Sequence, residues 1–140
     1  MIPDTVRVGG TARAYAPEVR DLLEAAIGRL ARGVALGLAV EAEVAYRRRI
    51  APVVNAPGPT AVARAAAARA GRALTVFPPS TAGDDFAELS ARVPGCFAWI
   101  GNGPARDGAL HHNTRYDFND AAIPTGVRWW VEVVRGELGA

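Results

Sequence analysis

The chain has 140 residues, 16 basic and 14 acidic side chains, a formal net charge of +2, and is 50% hydrophobic and 21% charged. That is the composition of one globular domain's worth of chain, long enough to bury roughly two thirds of its unfolded surface. All 16 basic residues are Arg, and the high sequence pI near 9.2 rests on a surplus of two charges, so a nucleic-acid partner is not implied. No apolar run reaches the roughly 18 residues of a membrane span, and the N-terminus lacks a secretory pattern, so a cytoplasmic location without membrane contact is expected.

In chain order, Val6, Val8, Gly10 and Ala12 alternate with Thr5, Arg7, Gly9, Thr11 and Arg13, the period-2 pattern of a half-buried strand. Pro17 and Glu18 then open a helix whose Val19, Leu22, Leu23, Ala26, Ile27, Leu30 and Val34 form one apolar stripe to about Leu36, with Gly37 as the stop. A second strand places Val40, Ala42, Val44 and Tyr46 inward and Glu41, Glu43 and Arg47 outward. Strand, helix, strand, with the helix on one sheet face, accounts for the first part of the chain. The Pro-dense Pro52–Pro59 segment marks a domain boundary, between residues 1–51 and 52–140.

Beyond it, Thr60 is placed as the cap of an Ala-rich helix that Gly71 ends, and a short strand is expected around Leu74 to Phe77. Asp84 to Ala91 reads as a short helix, Phe97 to Ile100 as a buried strand, and the last helix begins near Ile123-Pro124 with Val127, Trp130, Val131 and Val134 on one face. Cys96, the single cysteine, sits in an apolar segment and reads as a small hydrophobe with no basic partner. Arg47-Arg48-Arg49 could grip phosphate or line a solvated strand edge, and Asp84-Asp85 could ligate metal or simply favour a helix start.

Chemistry concentrates in His111 to Asp120, which gathers both histidines with two carboxylates and two amides in a loop between a strand and a helix. Neutral imidazole steadied by a carboxylate or carbonyl is a common metal ligand, although a surface loop with incidental histidines has the same composition. A catalytic zinc takes about three protein ligands. With the histidines adjacent, Cys96 in an apolar strand and no HxH, HxD or HExxH spacing, the segment can form one corner of an ion site.

The ordered set Gly10-Thr11-Ala12-Arg13, Pro52-Val53-Val54-Asn55, Gly83-Asp84-Asp85-Phe86, Val93-Pro94-Gly95, Ile100-Gly101-Asn102-Gly103 and His112 to Asp120 resembles hippurate hydrolase-like amidohydrolases. These are N-acyl-amino-acid hydrolases of the aminoacylase and carboxypeptidase metallopeptidase superfamily. The resemblance implies an α/β architecture: residues 1–51 as the second half of a ferredoxin-like lid, or dimerisation, domain, and 52–140 as the C-terminal piece of a two-metal catalytic domain. It makes His112 a metal ligand and His111 its neighbour, with Asp117 and Asn119 as support, and puts Arg13, Asn55, Gly101 and Gly103 near substrate. Two divalent ions (Zn, Mn, Co or Ni), a small N-acylated amino acid as substrate and a homodimer through the lid are implied for an intact relative.

Asp84 stands where the family usually has Glu, and Thr114 where it often has Pro. The family's Cys-x-His or His-x-His motif, its Glu-Glu pair and its lid His all precede the segment represented here. Met1-Ile2-Pro3-Asp4 falls within a family Asn-Val-Ile-Pro-Asp motif, which suggests an internal start within a longer reading frame. The expected function is therefore a C-terminal amidohydrolase fragment inactive alone. The alternative is a non-catalytic dimerisation or binding module of the same descent.

Overall fold

The computed structural model describes residues 3–71, 78–105 and 108–139. The described residues include the α-helices α1 (Pro17–Gly37), α2 (Pro57–Ala70), α3 (Phe86–Ser90) and α4 (Ile123–Leu138), and a 3-10 turn at Asp120–Ala122 that leads into α4. The chain divides into two compact units, Met1–Pro52 with Pro79–Asp85, and Val53–Pro78 with Phe86–Ala140.

In the first unit α1 begins as its sequence dictates, with Pro17 in the first turn, where a missing N–H costs nothing, and Glu18 beside the helix N-terminus. Its end is set by Ala39 rather than Gly37. Ala39 has φ 54°, its N–H reaches Leu36 O at 3.2 Å and Val40 N–H reaches Ala35 O at 3.0 Å, which is a Schellman turn with alanine in the left-handed position glycine normally fills. Arg48 returns along the helix, its guanidinium bonded to Glu24 at 2.6 Å and to Asp21 at 2.6 Å. Both carboxylates raise its pKa, Glu24 first. Arg48 is thus engaged within the unit, and Arg47 and Arg49 are exposed.

The two strands expected on either side of α1 are not formed: among the described residues no β-ladder is present. The facing of the second segment is nevertheless visible, since Ala42, Val44 and Tyr46 are half-buried while Glu41, Glu43, Ala45 and Arg47 are exposed. Val40, in contrast, is exposed, as are Val6 and Val8. The physical reason is that alternation encodes only which side of a strand faces inward. A strand exists through hydrogen bonds to a neighbour, and a lone two-stranded unit is marginal in water. In the split β-α-β arrangement of a ferredoxin-like domain the helix-linked strands take another strand between them, and the described residues provide none. Most of the α1 stripe remains uncovered as well: Leu23 and Ala26 are half-buried, but Val19, Leu22, Ile27, Leu30 and Val34 are exposed.

The second unit is built on α2 against α4. Helix α2 starts three residues before Thr60 because Pro57 and Pro59 fit a first helical turn. Thr60 is inside the helix, not its cap, and its hydroxyl donates to Ala56 O at 2.7 Å. The small side chains of Ala66 and Ala70 are buried, and Gly136 of α4 lies where a Cβ would approach Val62 and Arg69, so the helices approach closely. Polar groups close the pairing. Trp129 Nε1 donates to Ala63 O at 3.1 Å, and Arg69 Nε bonds Glu132 Oε2 at 2.7 Å while Arg135 bonds Glu132 Oε1 at 2.9 Å.

Val127, Trp130, Val131 and Val134 do share one face of α4. An apolar face of this kind ordinarily meets a core, yet Val127 and Trp130 are 58% and 59% exposed, and α4 meets α2 through the adjacent Trp129–Glu132–Gly136 face. The segment read as a buried strand, Phe97 to Ile100, is neither paired in a ladder nor buried: Phe97 is half-buried and Ala98, Trp99 and Ile100 are exposed. It is held by aromatic packing instead, with Phe86 and Phe97 centroids 5.4 Å apart and Phe97 edge-on to Trp99 at 6.4 Å. The strand expected at Leu74 to Phe77 lies outside the described residues.

Candidate functional site: the His111–Asp120 loop

A loop after Gly103 carries both histidines. Gly103 and Gly108 take φ 84° and 70°, conformations open to glycine and costly for other residues. Gly103 also faces Asn119 Nδ2, 3.5 Å from where a Cβ would stand, whereas Gly101 has open space around it. Asn113 then organises a turn, accepting from Arg115 N through Oδ1 at 2.9 Å and from Tyr116 N through its carbonyl at 3.0 Å. Tyr116 and Phe118 meet edge to face with centroids 5.1 Å apart.

His112 is exposed, with its ring 5.1 Å from that of His111. Its φ of 67° puts a non-glycine residue in the left-handed region, a cost that clusters at functional positions. Asp117 is exposed and its carbonyl accepts from Asn102 Nδ2 at 3.0 Å. Asn119 is committed to the backbone: Oδ1 accepts from Ala121 N at 3.1 Å, capping the 3-10 turn, and Nδ2 donates to Asn102 O at 3.2 Å. Sequence reasoning did not single out Asn102. The signal was an amide between two glycines, where only a side chain can tie down a turn that the glycines leave loose.

Asn55 is also bonded to backbone. Its Nδ2 donates to Phe97 O at 2.9 Å and its Oδ1 accepts from Phe97 N at 2.8 Å, while Ala56 N donates to Gly95 O at 2.9 Å. A side-chain amide here does the work of a β-bridge, and one N–H and one lone pair remain for any ligand. Asn55, Gly101, Gly103, His112, Asp117 and Asn119 all lie in the second unit. Arg13 is exposed in the first. Cys96 is half-buried, its Sγ 3.9 Å from Phe97 O.

Donor chemistry decides what this arrangement can hold. Among the described residues no three His, Cys, Asp or Glu side chains come together as a metal site. A catalytic ion takes about three protein ligands, so the described donors do not fit a complete site, and His112 is available as a single imidazole. Among the described residues no helix is long and apolar enough to cross a membrane.

The family model described as Peptidase family M20/M25/M40 matches residues 4–136. An N-acetylcysteine deacetylase of Bacillus subtilis is 27% identical over 133 residues, which cover 95% of this chain and 34% of the relative. An N-acetyl-L-cysteine deacetylase of the same organism is 30% identical, covering 88% of this chain and 29% of its own. An N-acetyldiaminopimelate deacetylase of Leuconostoc mesenteroides is 27% identical, covering 90% and 33%. The chain thus spans about a third of the length of these curated relatives. No solved structure matches it significantly.

Proposed function

The chain belongs to peptidase family M20/M25/M40, and from that premise we propose that it is the C-terminal portion of a metal-dependent amidohydrolase. The intact enzyme cleaves the amide bond of N-acyl amino acids or similar small amides, in the cytoplasm, and this portion is inactive by itself. The observation that carries the reading is the family match along residues 4–136; the acetyl-amino-acid deacetylases among its relatives point to the substrate class.

In this reading residues 1–51 are half of a lid domain and 52–140 a segment of the catalytic domain. His112 is the imidazole that the chain offers to one of two divalent ions, with the loop of Asp117 and Asn119 behind it. Metal in such an enzyme supplies Lewis acidity and an activated water. No catalytic step is assigned to this chain, whose described residues bring no three His, Cys, Asp or Glu side chains together. Arg13, Asn55, Gly101 and Gly103 are assigned to the N-acylated substrate, Asn55 through the amide N–H and lone pair that Phe97 leaves free.

The test joins this chain to the preceding two thirds of a relative and measures metal-dependent release of amino acid from an N-acetyl amino acid. His112→Ala is expected to abolish release and His111→Ala to leave much of it. Equal loss from both would show that the ligand assignment is wrong.

A second reading, a homodimerising or binding module, is favoured by the uncovered apolar stripe of α1, where Leu22, Leu30 and Val34 are exposed. A monomeric profile in sedimentation, without binding of a hydrophobic dye, would count against it.

A further inference from the structure

Asn102 and Asn119 grip each other across 17 positions of sequence. Asn102 Oδ1 accepts from Asn119 N at 2.7 Å, and Asn102 O accepts from Asn119 Nδ2 at 3.2 Å. Asn102 Nδ2 also reaches Asp117 O at 3.0 Å. Three bonds therefore join the turn before the histidine loop to the segment after it. No β-ladder is present among the described residues to hold these two segments together. The amide side chains stand in for one and close the neck of the loop that carries both histidines.

Among the described residues of that loop, order is local. Asn113 N bonds Leu110 O at 3.1 Å, Tyr116 N bonds Asn113 O at 3.0 Å, and Ala109 is its buried side chain among the described residues. A loop that carries His112 in a costly left-handed conformation keeps one shape only if its ends are fixed, because closing free ends costs entropy each time the loop orders.

We infer that Asn102 and Asn119 are positioning residues: their reciprocal clasp closes the neck of the histidine loop and thereby sets the orientation of His112. The functional meaning of that orientation rests on the reading of His112 as an ion ligand; the closure does not.

The experiment is amide hydrogen exchange by NMR on the full 140-residue chain and its variants. Asn102→Ala removes the acceptor for Asn119 N and the donor to Asp117 O. The amides of Asn113, Arg115 and Tyr116, distant in sequence from the substitution, are expected to exchange roughly tenfold faster, the change equivalent to one net hydrogen bond. The ring-to-ring NOE between His111 and His112 is expected to weaken, while amides of α2 and α4 keep their rates. Asn102→Asp retains the acceptor and is expected to restore protection at Asn119 and most of it in the loop. Should Asn102→Ala unfold the second unit, Asn119→Ala, which removes the Nδ2 bond to Asn102 O and leaves both Asn102 side-chain bonds in place, is expected to raise the same exchange rates by a smaller factor. Unchanged exchange at Asn113, Arg115 and Tyr116 with an exposed Asn119 amide would overturn the inference. Failure of the ion-ligand reading is seen separately, as equal loss of activity in the two histidine variants, and leaves these rates untouched.

Discussion

Trp129 and Trp130 are adjacent in α4 and separate two ways of packing that helix. Trp129 donates its indole N–H to Ala63 O at 3.1 Å and is half-buried, whereas Trp130 is 59% exposed. Trp129→Phe deletes that hydrogen bond, about 1 kcal/mol net. It also withdraws tens of Å² of apolar contact, about 1 kcal/mol more at ~25 cal/mol/Å². The expected cost is about 2 kcal/mol, a drop in melting temperature of roughly 10 °C for a unit of this size. Trp130→Phe is expected to stay within about 0.5 kcal/mol, as substitutions at exposed sites do. The two rings touch, with centroids 4.7 Å apart, so both variants disturb that contact and the difference between them reports the contact with α2. Thermal and urea melts followed by circular dichroism read both. Equal costs, or a larger cost at position 130, would mean that α4 packs through its Val127–Trp130–Val134 face and that the arrangement described here is wrong.

Other outcomes follow from local physics. Ala39→Gly removes a side chain from a left-handed position with φ 54° and is expected to stabilise the first unit by about 1 kcal/mol, measured by chemical denaturation; destabilisation would mean the Schellman turn is not formed. The carboxyl of Glu132, bonded first by Arg69 and then by Arg135, is held below the usual glutamate range. A group depressed in the folded state contributes stability that is complete above the unfolded pKa and is lost as pH falls through the folded one. The melting-temperature gap between the wild type and Glu132→Gln is thus expected to be level above roughly pH 5 and to shrink on acidification below it. A gap that grows toward acid pH would contradict the assignment, and added salt is expected to narrow it because the arginines are exposed.

What the sequence disclosed follows the reach of its signals. Helix starts at Pro17 and Ile123 were legible because first-turn proline chemistry acts within a few residues. The alternation of Ala42, Val44 and Tyr46 was legible for the same reason. The ladder was not, because it depends on neighbours that a local pattern never names. The Thr60 cap failed because two prolines just upstream made a better helix start, so the hydroxyl was left to bond backward to Ala56. Trp130 on an apolar face looked like packing, but the close approach set by Ala66, Ala70 and Gly136 turned α4 by one residue and brought Trp129 inward. For the site, the residue types of the His111–Asp120 run singled out the candidate loop. The bonds that close it, between Asn102 and Asn119 and between Asn55 and Phe97, join residues too far apart in the chain to be paired by inspection.

The central claim, that this chain holds part of a hydrolytic site and not the whole, is tested most directly by assaying the purified 140-residue chain for release of free amino acid from N-acetyl amino acids, with Zn, Mn, Co or Ni supplied in turn. No release above the metal-only control is expected under any of the four ions. Turnover that depends on added metal and disappears with a chelator would contradict the account.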